Sequence, residues 1–402
     1  MLIGLTVLGT DSIFAKGCNR TAVAFALWCS KYGHTATLIS PSDCKKPFTE
    51  LESTFKEKNI QCSFLEDVIS SKQVFDIVFE ISWFIPEALR LKISKKHIIW
   101  FHQPPLFNDM ESSVYFFNNF IRSVKNVSEV WLPDCYPADD KIYIERIYLI
   151  PVRVVPWIWE HISLDNYCSK TNLSKWNQYE NPESQLVVLE SNTTNTSNCI
   201  LPLCIVAEII EKNPLTWIVG NGDTLKKNKY FNGNITTNLF AGKDVSGNFI
   251  GRIPIPELRK FKSILVTHQR WRAMKHLLLD ALWLDIPLLH NCDIILKGIQ
   301  KAGGYYYPSN EISAAVNQYE DLARDLNSSA GFFSKEALIH RKMYCLTQYD
   351  WESDKSKTFF STAFANPLQQ IISVPPPVPT QQQSQSKILS SDFTDLWFEF
   401  YP

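Results

Sequence analysis

Short, unbroken apolar runs set apart by helix-length stretches dominate this chain and leave few folds open to it. The first is Leu2–Leu8. A Gly-bearing loop from Gly9 to Asn19 follows, then a helical stretch Thr21–Tyr32 that Gly33 ends, then a strand Thr35–Ile39. Val74–Ile81, His97–Phe101, Glu129–Leu132 and Val152–Val155 continue the series. Runs that are apolar throughout, not at every second residue, belong to strands covered on both faces. Strands separated by helices join in parallel, with right-handed crossovers.

From Ser163 to Gln185 the chain turns polar, as a connection between two units does. A second series then begins. Leu186–Leu189 reads as a strand, Asn192–Asn198 as a polar loop, Leu201–Lys212 as a helix, Thr216–Val219 as a strand and Gly220-Asn-Gly222-Asp as a tight turn. Ser263–Val266 and Pro287–Leu289 are further strands on either side of a helix Met274–Leu284. With 402 residues there is room for two cores. The expected architecture is α/β: two Rossmann-like parallel-sheet domains facing across a cleft. The expected boundaries are 1–160, a linker 161–185, 186–350, a helical segment 351–372 returning to the first domain, and a tail 373–402. In that tail Pro375-Pro-Pro-Val-Pro379 and Gln381–Gln383 predict an extended linker before the aromatic, acidic Asp392–Tyr401. Phe393, Leu396, Trp397 and Phe400 fall at helical spacing there, so the tail packs back on the body or contacts a protein partner.

Charge and cysteine usage narrow the function classes. The net charge is −1, so no global field recruits nucleic acid or membrane, and any bound phosphate is held by a local patch. The ten cysteines are scattered without a C-x-x-C pair, which suits thiols in a reducing compartment. The first residues, MLIGLTVLGT, carry no basic leader and read as a buried strand; no run reaches a transmembrane length. A cytoplasmic location is expected.

Residues 9–40, GTDSIFAKGCNRTAVAFALWCSKYGHTATLIS, resemble the opening of glycosyltransferases of the GT-B architecture, where a Gly-bearing loop, an "A-x-A-L" helix and a "G-H-x-V" strand entry follow in that order. Residues 249–291 resemble that family's second-domain core: Gly251-Arg-Ile-Pro254 and Glu257-Leu258, then Asp280-Ala-Leu282 and Ile286-Pro-Leu-Leu289, against "G-x-V-P…E-L" and "E-A-x-A-x-G-x-P-V-I". Val152–Ile158 stands where "K-V-x-V-I-P-N" closes the first domain. The likeness covers most of residues 1–350 in order, and extends to bacterial and viral glycosyltransferase-like proteins without assigned substrates. Departures are Asp280 in place of Glu, Asp285 in place of Gly, Arg272 near the usual first acid, and no Lys in loop 190–199.

The resemblance implies transfer of a sugar from a nucleotide-sugar donor to a glycan or other hydroxyl acceptor, with ligands at the carboxyl ends of the strands. Gly17 then permits close backbone approach to a phosphate or sugar. Arg270, Arg272 and Lys275, between a strand and a helix start, are placed to clamp the diphosphate, while the Arg259–Lys262 group reads as surface. Asp280 is placed to accept from ribose hydroxyls; His268, Asn192 and Gly220 complete the donor-side candidates. For the base that deprotonates the acceptor the candidates are His102, at a strand end with a suitable intrinsic pKa, with Asp11 and Glu80 as rivals. No D-x-D follows a strand, and Asp139-Asp140 reads as a turn, so a metal-independent mechanism without a cofactor is expected. Two other readings stay open: an epimerase on the same scaffold, and a catalytically degenerate glycan-binding or scaffold protein.

Overall fold

The computed structural model describes residues 1–9, 12–41, 48, 51–107, 109–110, 123–173, 184–190, 192, 198–270, 274–295 and 304–365. Among these residues the strands form two wholly parallel sheets. The first has seven strands in the order β3-β2-β1-β4-β5-β6-β7. They are β1 Leu2–Thr6, β2 Thr35–Ser40, β3 Gln61–Phe64, β4 Ile77–Glu80, β5 His97–Trp100, β6 Glu129–Pro133 and β7 Val152–Val155. The second has five, β12-β11-β10-β8-β9: β8 Gln185–Val188, β9 Thr216–Val219, β10 Ser263–Val266, β11 Leu288–His290 and β12 Gly304–Tyr306. This is the two-sheet GT-B-like arrangement.

In each sheet the strand order reverses at one place, between β1 and β4 and between β8 and β10. Crossover helices leave to opposite faces there, opening a crevice at the carboxyl ends of those strands.

Helix Gly17–Lys31 follows β1 and is buried along most of its length. Its Phe25 and Trp28 meet Phe360 of helix Asp354–Ala365, at ring-centroid distances of 5.0 and 5.3 Å, over the first sheet. Each such ring, taken out of water, stabilises the fold by about 1.5–3 kcal/mol. A second core crosses between the halves, from Ile99, Phe101 and Trp157 to Val187, Leu278 and Leu282. At this crossing Trp159 pairs with residues 349–351, its amide donating to Tyr349 O at 2.8 Å and its carbonyl accepting from Trp351 N at 3.0 Å. The polypeptide therefore passes between the halves twice at one spot.

Several local expectations change. Helix Ile162–Thr171 occupies the start of the polar stretch read as a connection, because Ser163 and Leu164 bury against the body. Asp139 and Asp140 lie in the first turn of helix Ala138–Tyr148 rather than in a turn, and Asp140 accepts from the Leu106 amide at 2.9 Å. Arg259 is buried, not on the surface, with its guanidinium 3.4 Å from Cys168 Sγ. Strands β3 and β12 escape the apolar-run criterion: β3 is a half-exposed edge strand and β12 is Gly-Tyr-Tyr. Residues 373–402 lie outside the described residues.

Candidate active site

The site starts from the amino end of helix Gly17–Lys31. Lys16, at its N-cap, is extended and makes no side-chain cap, so the helix presents amide groups and partial positive charge to the seam. A Cβ on Gly17 would stand 2.7 Å from His102 Nε2 and 3.4 Å from His276 Nδ1. Glycine is needed there because imidazoles from opposite halves close on its bare α-carbon. His102 follows β5, and His276 opens helix His276–Trp283 after β10. Their rings are near-parallel with centroids 5.4 Å apart, and Trp157 lies 5.0 and 5.1 Å from them. Thr21 Oγ1 is 3.3 Å from His102 Nδ1 and 3.5 Å from His276 Nε2. Burial pushes His102 down to about 4. Burial, then the charges of His102 and Arg20, take His276 well below its ordinary value, with the Ile158 backbone pulling the other way. Both rings are neutral near pH 7.

Cations meet at the same place. Lys16 is held below its ordinary value by burial, with Cys18 opposing and Arg252 of the second half adding to the shift. Arg252 Nε also donates to Asn221 Oδ1 at 3.2 Å. Positive groups from opposite halves within electrostatic reach are a natural seat for an anion. Arg270 is exposed beyond β10, and its charge helps to depress His268.

A buried clasp lies directly behind. Arg20 Nε meets Glu160 Oε1 at 2.7 Å, Nη2 donates to Glu160 O at 2.7 Å, and Nη1 meets Asp280 Oδ2 at 3.1 Å. Trp159 Nε1 donates to Asp280 Oδ1 at 2.7 Å. Each oxygen of Asp280, read from sequence as a ribose ligand, thus has a protein donor, and the side chain ties the second half to the first.

Glu80, named as a rival base, has its carboxylate engaged within the first half. It is fully buried, with Oε1 on Arg90 Nε at 2.8 Å and His97 Nδ1 at 3.0 Å, and Oε2 on Arg90 Nη2 at 2.9 Å and the Ile85 amide at 3.1 Å. A carboxylate saturated in this way fixes loops and has no lone pair to offer a substrate.

The remaining donor-side candidates divide. Lys275 sits at the N-cap of helix His276–Trp283, with Nζ 2.6 Å from Glu190 Oε2. Glu190, fully buried at the end of β8, also accepts from the His268 amide at 3.2 Å. His268 Nδ1 is 3.2 Å from Tyr307 Oη, whose only proton goes to Thr267 O at 2.8 Å, so Nδ1 donates. Burial lowers His268 to about 4, with Glu190 opposing. Asn192, at φ 57°, accepts from the Cys199 amide at 2.8 Å and donates to Glu190 O at 3.0 Å and, in the turn after β9, to Asn221 O at 3.3 Å. At Gly220 a Cβ would come within 2.5 Å of Leu189 Cδ2, so its smallness serves strand packing. Asp11 and Arg272 lie outside the described residues.

Lys16, Arg20, Glu160 and His276 were not singled out from sequence, although Lys16 and Arg20 flank Gly17 and His276 follows Lys275. Among the described residues no three His, Cys, Asp or Glu side chains gather as metal ligands.

The family model described as "Protein of unknown function (DUF2827)" matches residues 3–362. No curated protein matches. Among solved structures, an alpha-glucosyltransferase in complex with UDP and a 13-mer DNA containing a HMU base superposes with TM-score 0.60 at 11% identity, over 90% of this chain and 98% of that one. A sucrose-phosphate synthase from Thermosynechococcus elongatus gives 0.53 at 12% identity, over 90% and 99%. HepE of Anabaena in complex with UDP-glucose gives 0.51 at 11% identity, over 91% and 100%. At such identities the likeness is one of fold.

Proposed function

From the premise that the chain belongs to the DUF2827 family and carries the fold of these glycosyltransferases, we propose that it transfers a sugar from a nucleotide-sugar donor to a glycan or other hydroxyl acceptor, without a metal. The observation that carries this reading is the convergence of His102 Nε2 and His276 Nδ1, from opposite halves, on Gly17 at the amino end of a buried helix. The donor's diphosphate lies against that helix end, with Lys16 and Arg252 on either side and Arg270 at the rim. When the acceptor oxygen bonds to the anomeric carbon, the carbon–oxygen bond to the β-phosphate breaks. The departing charge then meets fixed positive groups in a site shielded from water. The acceptor proton passes to His102, neutral near pH 7 and one ring away from the second half. A reducing cytoplasm is the matching compartment, the nine described cysteines all being free thiols.

The loss of Asp280 to the clasp favours one other reading, a protein that binds nucleotide sugars or glycans without turnover. Incubation with a panel of nucleotide sugars, following nucleoside diphosphate release, separates the two. Release that falls about 100-fold or more in His102→Asn supports transfer. Binding without release in the presence of varied acceptors supports the second reading, and no nucleotide binding at all removes both.

A further inference from the structure

Three buried polar atoms crowd one corner of the seam without a hydrogen-bond partner: Tyr136 Oη, Trp157 Nε1 and His276 Nδ1. Their residues are 8%, 3% and 4% exposed. They come from three places in the chain: just past β6, just past β7, and the first residue of helix His276–Trp283. The rings are in contact, Tyr136 with Trp157 at 6.3 Å between centroids and Trp157 with His276 at 5.1 Å. Buried polar groups are nearly always paired, because an unpaired one forfeits its hydration. Three in one contact cluster mark a place where a partner belongs.

The chemistry of that partner follows from the inventory. Indole N–H only donates, a phenol donates and accepts, and a neutral imidazole nitrogen does one or the other. None of the three carries charge, and Arg20 behind them is matched by Glu160 and Asp280. The Trp157 and His102 rings offer apolar faces beside these polar tips. A ring with hydroxyls at its edge and C–H groups on its faces fits; Lys16 and Arg252, the cations of the seam, are assigned to the diphosphate, so a further acidic group on the sugar would have to compete for them.

We infer that Tyr136, Trp157 and His276 form the subsite that recognises the hydroxyls of an uncharged hexose carried by the donor. The inference rests on the glycosyltransferase reading and adds its sugar class. Tyr136→Phe and Trp157→Phe in the full chain test it by calorimetry and thermal melting. The probes are UDP, GDP, ADP and dTDP, each beside its glucose or mannose conjugate, with UDP-glucuronate as the acidic control. Wild type is expected to bind one conjugate more tightly than its diphosphate. The variants are expected to keep the diphosphate affinity and lose about three- to tenfold of the sugar increment. The ligand-free melting temperature of Tyr136→Phe stays level or rises, since an unpaired group has been removed, while that of Trp157→Phe falls with the cavity the smaller ring leaves. A Tyr136→Phe that melts lower while both variants keep the full sugar increment overturns the inference, because the atoms then serve a structural water. So does a preference for UDP-glucuronate, or a diphosphate bound with no sugar increment in wild type; in these cases the wider reading survives. A wild type that binds no diphosphate removes the wider reading and this inference with it.

Discussion

Removal of the Asp280 carboxylate tests whether this residue holds the halves together or contacts a ligand. In Asp280→Ala, Arg20 Nη1 loses an acceptor at 3.1 Å and Trp159 Nε1 one at 2.7 Å, both fully desolvated. Breaking one side of a buried ion pair costs about 3–5 kcal/mol, mostly from the charge left behind. One term opposes this. Burial, offset by Arg20 and Trp159 and reinforced by Glu160, leaves the Asp280 carboxyl pushed up to about 6. Against its ordinary value, that shift says the site disfavours the charged form by about 3 kcal/mol at neutral pH. A neutral isostere therefore does better than a deletion. Asp280→Asn keeps an oxygen for one donor and avoids the desolvation cost, so its expected loss is about 1–2 kcal/mol. Thermal unfolding at pH 7.5 should place Asp280→Ala roughly 6–10 °C below wild type and Asp280→Asn within about 4 °C. If Asp280 instead served a ribose, Asp280→Ala would melt within 2 °C of wild type without ligand and lose nucleotide affinity. That outcome, or an Asn variant worse than Ala, refutes the clasp.

Gly17→Ala should leave melting nearly unchanged, helix propensity offsetting the contact with His102 Nε2 at 2.7 Å, while sugar transfer drops about 100-fold as the imidazole is displaced. A crystal structure with His102 in place, together with full activity, would refute the role given to this glycine. Lys275→Ala leaves the buried Glu190 carboxylate without its ammonium and should cost about 3–5 kcal/mol. Adding Glu190→Gln should restore part of the loss; strict additivity in the double-mutant cycle counts against the pairing. On acidification, His102 and His268, each lowered to about 4, and His290, lowered to about 3, stay neutral in the fold while the unfolded chain takes up protons from its ordinary pKa downward. Stability they supply is present above pH 6.5 and lost as pH falls toward 4, by up to about 3 kcal/mol for each of the first two. Asp280 and Asp350, raised to about 6, work in the opposite direction over that range but do not outweigh the buried histidines. Urea midpoints measured from pH 8 to 4.5 should decline; a flat profile contradicts the burial of these rings.

Most of the fold was legible locally. An apolar run such as Ser263–Val266 can be satisfied only as a covered strand, and β7, β9 and β10 fall on the residues expected. The edge strand β3 was not, because Gln61 is exposed and Cys62–Phe64 are only partly covered, so Gln-Cys-Ser-Phe leaves no unbroken apolar run. At the site, Gly17 and His102 stood out as a glycine at a helix start and a histidine at a strand end. Glu80 and Asp280 carried the right chemistry at sensible positions, yet both are spent on buried arginines.

Alternation of apolar and amphipathic segments by itself determined two parallel sheets and a crevice at the carboxyl ends of their strands, because hydrogen bonding and burial act along neighbouring residues. Only the tertiary structure decided which polar groups face that crevice and which are consumed behind it. Arg20 meets partners 140 and 260 residues away, and nothing local to GCNR or HLLLD announces the pairing. Whether a carboxylate serves a ligand or a guanidinium depends on which charge reaches it first in the packed seam, and that is a property of how the two halves meet.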